Sequence, residues 1–127
     1  MSPKEKRFLQ RARVCRVGSV DRRGTPHTAP LCHAFDVDTR TAYVATSGVT
    51  ARNLRTRRRA AIECDDYFED WARIRGVLAY ARAKVVRGGA ELGHARALLK
   101  RKFKQYRDYD LDEAIALRVE KVTSWGL

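Results

Sequence analysis

Apolar residues in this chain recur at two different periods, and the alternation between them lays out the elements. Val14–Val20 (VCRVGSV) alternates apolar with small or polar residues, the pattern of a half-buried strand. Asp21-Arg22-Arg23-Gly24 supplies a hairpin turn, with Gly24 suited to positive φ, and Pro26–Val37 follows as a second strand. Pro30 within that run points to an edge or a bulge. Asp38-Thr39-Arg40 makes another turn into a third strand, Thr41–Thr46. Ala60–Tyr67, Val77–Val86 and Ala114–Val122 read as three more strands. Helical spacing marks Lys4–Arg11, a short basic segment Thr50–Arg57, and Ala90–Tyr106. The last places Leu92, Ala95, Leu98, Leu99, Phe103 and Tyr106 along one face.

Six strands joined by tight turns, with flanking helices, predict a mainly β domain: a small antiparallel barrel occupying residues 1–127 as a single unit. A chain of 127 residues buries a real core but gains from oligomerising. No apolar run is long enough to span a membrane, and no apolar signal-peptide core follows the basic start. Cys15, Cys32 and Cys64 are odd in number and lie in separate apolar segments. They read as reduced core thiols of a cytoplasmic protein rather than a disulfide framework or a zinc site.

Charge changes the picture more. Lys and Arg number 27 against 15 Asp and Glu, a formal net of +12 spread along the chain. Such a surplus fits a solvated basic face, a phosphate-bearing cofactor or a nucleic acid. The segment Tyr43-Val44-Ala45-Thr46-Ser47-Gly48-Val49-Thr50-Ala51-Arg52-Asn53-Leu54-Arg55 is the most informative. A strand ends there in small hydroxyl residues and a glycine, then enters a basic helix. Open N–H groups at a helix start favour an anion, hydroxyls add donors, and Arg52 and Arg55 add charge. The same residues also serve simply to cap a helix and make a turn.

His27 and His33 flank Cys32, but alternation along a strand puts the two histidines on one side and the thiol on the other, which disfavours a metal site. His33 reads as a pocket-lining proton donor or an ordinary half-exposed strand histidine, and His94 as solvent-facing. Trp71 sits in an acidic and aromatic loop and reads either as a ring-stacking residue or as an interface anchor. No GxSxG, HExxH or paired-carboxylate motif occurs.

Taken in order, these segments resemble the pyridoxamine 5'-phosphate oxidase-like FMN-binding split β-barrel family, and within it the branch of deazaflavin-dependent enzymes. The resemblance rests on Ala12–Val17, Gly24-Thr25-Pro26-His27, Tyr43–Thr46, Arg52–Arg55, Asp65–Trp71, Lys102–Tyr106 and Val122–Gly126. It implies a six-stranded antiparallel Greek-key split barrel and a homodimer with two cofactor sites at the interface. The cofactor would be FMN or the deazaflavin coenzyme, which the sequence does not separate. Its phosphate would rest on Thr46, Ser47, Thr50, Arg52 and Asn53, and its ring along Pro30, Leu31 and Cys32, with Trp71 of the partner closing the pocket. The chain departs from the family pattern in one place. The turn before Arg52-Asn53-Leu54 is about two residues short, and Thr50 stands where the family has a phosphate-binding lysine, so Arg52 or Arg55 must compensate.

The implied activity is a flavin- or deazaflavin-dependent oxidoreductase that transfers a hydride to or from a small conjugated substrate. The alternatives are a non-catalytic split barrel that binds a flavin, heme or another planar ligand, and a basic nucleic-acid-binding barrel. Aromatics that sit mostly beside acidic or small residues disfavour the last.

Overall fold

The structure is a computed structural model that describes residues 1–127. Helix α1 (Pro3–Arg11) starts on a reciprocal cap. The Ser2 hydroxyl accepts the Glu5 N–H, the Glu5 carboxylate accepts the Ser2 N–H, and Pro3 occupies the first turn. It buries Phe8 and Leu9. Strand β1 (Val14–Val20) turns at Asp21–Gly24 into β2 (Pro26–Asp36). The Asp21 carboxylate accepts the N–H groups of Arg23 and Thr25, and Gly24 takes φ +87°. β3 (Thr41–Val44), α2 (Val49–Thr56), β4 (Arg59–Asp66), β5 (Arg75–Val86), α3 (Gly89–Lys102) and β6 (Ala114–Trp125) complete the chain. Short 3₁₀ turns lie at Trp71–Arg73 and Lys104–Asp108.

The strands close into an antiparallel barrel in the order β1-β2-β3-β6-β5-β4. Inward positions alternate with outward ones along each strand. Cys15, Val17, Phe35, Ile62, Cys64, Ile115 and Leu117 fill the interior, and α2 adds Ala51 and Leu54 to the same cluster. A second cluster lies outside the wall, where Leu92, Ala95 and Leu99 of α3 cover Ala34, Tyr43, Ala114 and Ala116.

The strand that organises the barrel is β2. It pairs with β1 from Pro26 to Cys32 and with β3 only from His33 to Asp36. Pro30 therefore sits where β2 has a neighbour on one side alone, as its missing N–H requires. The strand predicted to run to Thr46 stops at Val44, where its ladder with β6 ends opposite Ile115. The long last helix ends at Lys102 and gives way to a 3₁₀ turn that places Tyr106 against the outer cluster. The sixth strand runs three residues past Val122, since Thr123, Ser124 and Trp125 find partners in Leu78, Val77 and Gly76.

Two contacts fix elements that the ladders leave free. Lys102 Nζ donates to the carbonyls of Gln10 and Ala12, and Arg13 donates back to the Lys102 carbonyl at 2.7 Å, joining the end of α1 to the end of α3. Burial lowers the Lys102 ammonium to a pKa of about 8. Between that value and the ordinary lysine range, the unfolded chain holds a proton that the folded chain releases. Stability due to Lys102 therefore rises with pH across this window. Denaturant midpoints are expected to show wild type gaining on Lys102→Met between pH 7.5 and 9.5 (about two pH units astride the shifted value). The Trp125 ring covers Gly76, where a Cβ would overlap the indole and sit 2.9 Å from the Cys64 carbonyl oxygen. Gly76→Ala is expected to cost about 1–3 kcal/mol of unfolding free energy and to red-shift the Trp125 emission as the ring is displaced.

Candidate functional site

The interruption in β2 pairing leaves a row of backbone groups without a strand beside them. His33 N–H donates to the Arg13 carbonyl at 3.2 Å, which fixes the phase of the β1–β2 ladder. Odd-numbered residues of β2 point their N–H and C=O at β1, and even-numbered ones point away from it. Along the open edge the chain thus presents the N–H groups of Thr28 and Cys32 and the carbonyls of Thr28, Pro30 and Cys32. Leu31 turns its side chain inward against the barrel core, and Cys32 packs toward α3.

Past β3, the chain runs through Thr46, half-buried, and Ser47, exposed, into α2. Gly48 is the N-cap and brings no side-chain hydrogen bond, so the first N–H groups of the helix are left open. Thr50 is 2 % exposed and packs inward. Asn53 is also buried, and its side-chain amide donates to the Ser19 hydroxyl at 3.2 Å, pinning α2 to β1. The structure parts the two arginines. Arg52 lines a cavity of about 370 Å³ with Asp21, Arg22, Arg23, Asn53 and Thr56. Arg55 reaches the other way, to Glu113 at 2.6 Å. Glu113 also accepts from Arg87 at 3.0 Å, and these two guanidiniums hold its carboxyl below the usual range.

A larger groove of about 670 Å³ crosses the outer wall from β2 to β6. Gly18, His27, Thr28, Ala61 and Tyr80 contribute to its lining, with Arg59 and Lys121 at its margin. Gly18 lies in van der Waals reach of Ala61, and Tyr80 is 47 % exposed. Sequence reasoning missed this groove. Its signal was a glycine in mid-strand, which marks close approach by another group. Arg22 and Arg23 were also missed as site residues, because a hairpin turn accounts for them locally.

Other side chains lie elsewhere. Trp71 is 75 % exposed, and its indole N–H reaches the Tyr67 hydroxyl at 3.4 Å. It sits beyond Asp66, at the opposite end of β4 from α2, a strand length of roughly 25 Å. Within one chain, Trp71 and Arg52 therefore cannot share a ligand of ordinary size. The acidic loop is tied within the chain by Asp65–Arg16 and Asp66–Arg75 pairs at 2.9 Å, and Arg73 stacks on Phe68. His33 corrects the expectation of a half-exposed or pocket-lining residue. It is fully buried in the barrel, with Nε2 2.7 Å from the Leu9 carbonyl oxygen and Nδ1 without a partner. His94 is half-exposed but paired with Asp36 at 2.7 Å. Cys15 and Cys64 face each other in the interior, and that contact together with burial pushes the Cys64 thiol up.

A closed six-stranded barrel with one strand split between two neighbours and a short helix at the split defines a split-barrel protein. The chain belongs to the pyridoxamine 5'-phosphate oxidase family, whose sequence profile matches residues 1–126. A comparison with curated proteins gives no match. Among solved structures, conserved hypothetical protein Rv2991 from Mycobacterium tuberculosis is similar with TM-score 0.83 at 19% identity, over 98% of this chain and 84% of that one. An FAD-binding protein from Mesorhizobium loti is similar with TM-score 0.79 at 19% identity, over 98% and 92%. HutZ, the heme storage protein from Vibrio cholerae, is similar with TM-score 0.77 at 16% identity, over 96% and 92%.

Proposed function

We propose that the chain is a flavin- or deazaflavin-dependent oxidoreductase that passes a hydride to or from a small conjugated substrate, and that it works as a homodimer with the cofactor between subunits. The observation that carries this reading is the open edge of β2. Its donors at Thr28 and Cys32 and acceptors at Thr28, Pro30 and Cys32 complement the carbonyls and the N–H on the pyrimidine rim of a flavin. FMN or the deazaflavin coenzyme would supply the hydride chemistry, and the protein would position and shield it. Thr46, Ser47 and the open start of α2 are suited to hold the cofactor's phosphate. Arg52 adds the charge that a lysine at position 50 would otherwise bring. Thr50 and Asn53 support the site from behind, the first by packing and the second by locking α2 to Ser19.

The dimer is supported by what one chain leaves exposed. Trp71 and Tyr67 stand in solvent at the end of the barrel far from Arg52, where only a partner could use them. A cytoplasmic setting belongs to the same reading, supported by three unpaired cysteines. No helix is long and apolar enough to cross a membrane. The similarity in fold to an FAD-binding protein agrees with a flavin ligand.

Absorbance titration tests the reading directly. FMN or the deazaflavin coenzyme is expected to bind stoichiometrically, and Arg52→Ala to weaken binding about tenfold, or roughly 1.4 kcal/mol. Arg55→Ala, already committed to Glu113, is expected to leave binding within about twofold. Equal loss in both variants, or no binding of either cofactor, overturns the assignment.

A second reading, a heme-type ligand, is favoured by His27. This half-buried residue borders the large groove and leaves Nδ1 buried without a partner. Similarity in fold to a heme storage protein agrees with it. Hemin titration with a Soret shift that disappears in His27→Ala would establish this reading in place of the flavin one.

A further inference from the structure

The cavity between the β1–β2 hairpin and the flank of α2 gathers three arginines against a single carboxylate and has a wholly polar lining. Arg22 and Arg23 come from the hairpin tip, and Arg52 comes from α2, thirty positions later. All three line one space of about 370 Å³, completed by Asp21, Asn53 and Thr56 and holding no apolar residue. None of the three guanidiniums is among the chain's ion pairs. The one carboxylate present, Asp21, is occupied with the N–H groups of its own turn, which also hold it below the ordinary carboxylate range.

The architecture keeps these charges together. Asp21 locks the hairpin tip, and Arg57 donates to the Arg22 carbonyl at 2.7 Å, tying the tip to the end of α2. Asn53 ties the helix to Ser19 at the top of β1. The scaffold thus holds three like charges around a cavity whose single carboxylate offsets only one of them.

We propose that this cavity is an anion subsite for a phosphoanhydride group, a diphosphate, beside the strand-to-helix turn formed by Thr46 and Ser47 and sharing Arg52 with it. Neither of those residues lines it, and it lies along the side of α2 rather than at its start. Planar guanidiniums arriving from two directions suit an anion with two linked tetrahedral centres, each able to take a forked pair of N–H donors. The absence of apolar lining excludes a ring or acyl group as occupant. The diphosphate has two possible sources: free inorganic pyrophosphate, or the bridge of a dinucleotide whose ring lies on the β2 edge. The second rests on the flavin reading above, and the first does not.

Calorimetric titration with inorganic pyrophosphate is the test, on wild type and on Arg22→Ser/Arg23→Ser. Both substituted positions are exposed, and thermal melts of the two proteins check that the fold is kept. Wild type is expected to bind pyrophosphate at least about tenfold more tightly than orthophosphate, and the double variant to lose about tenfold in pyrophosphate affinity. FAD and FMN titrations separate the sources. A loss for FAD but not for FMN assigns the diphosphate to a dinucleotide, whereas a loss for pyrophosphate alone assigns it to the free anion. If pyrophosphate binds while neither flavin does, the subsite stands and the flavin reading falls. Equal affinity for pyrophosphate and orthophosphate, an unchanged double variant, or tighter binding of a random oligonucleotide through the same arginines overturns the proposal.

Discussion

One strand with two neighbours that cannot both be served along its full length shapes this molecule. β2 has eleven residues, and β3 has four. Pairing with β3 therefore covers only the stretch from His33 onward, and the earlier half of β2 keeps one edge open while β1 holds the other. In an ordinary sheet such an edge is a hazard, because unpaired N–H and C=O groups recruit other strands. Here the exposure is limited. Pro30 removes a donor from the middle of the edge, and the chain leaving β3 turns into α2, whose Ala51 and Leu54 enter the barrel core. The open edge and the helix start consequently adjoin because the same short strand produces both.

The rest of the fold consists of devices that hold this split at a fixed width. Asn53 and Ser19 bind α2 to β1, and Arg57 binds it to the hairpin tip. On the far side, α3 covers the outer face of β2, β3 and β6, and its last residue is latched to α1 through Lys102 and Arg13. The interior is built largely of small and β-branched residues, which lets β1, β4 and β5 curve tightly. Among the buried polar residues, His33 uses one ring nitrogen to anchor the Leu9 carbonyl of α1. Each helix thus meets the barrel through at least one hydrogen bond that is not part of a ladder, and these bonds set the position of an element that apolar packing alone would leave free to slide.

The fold was legible where local pattern and tertiary pairing agree. β1 runs Val14–Val20, as its alternation states, and Gly24 takes the positive φ that its turn needs. Legibility failed at the strand ends. Ala45 and Thr46 carry strand-like residues but have no partner, while Thr123 to Trp125 are polar or bulky yet pair with β5, because Gly76 leaves room for an indole. For the site, the sequence singled out the turn into α2 but not the separation of its two arginines. Arg52 and Arg55 are equivalent on paper, and only Glu113, almost sixty residues away, withdraws one of them. The gathering of Arg22 and Arg23 beside Arg52 is likewise a product of hairpin placement, which no local spacing encodes.

The distribution of charge carries the same logic one step further. The net of +12 does not act as a uniform coat, since Arg16, Arg55, Arg75, Arg82, Lys84 and Arg87 each face a carboxylate in the chain. These pairs are exposed, screened by salt and individually weak. Their effect is to leave the uncompensated field in particular places, and the cleft between the hairpin tip and α2 is one of them, with Arg22, Arg23 and Arg52 free of ion pairs around it. A polar cleft raises the local concentration of anions far more than a flat surface of equal charge, because its walls displace solvent and focus the field. The arginine excess, which fits a solvated face, a phosphate-bearing cofactor or a nucleic acid, thus presents at the hairpin–α2 cleft a local field suited to a compact anion at one end of the barrel.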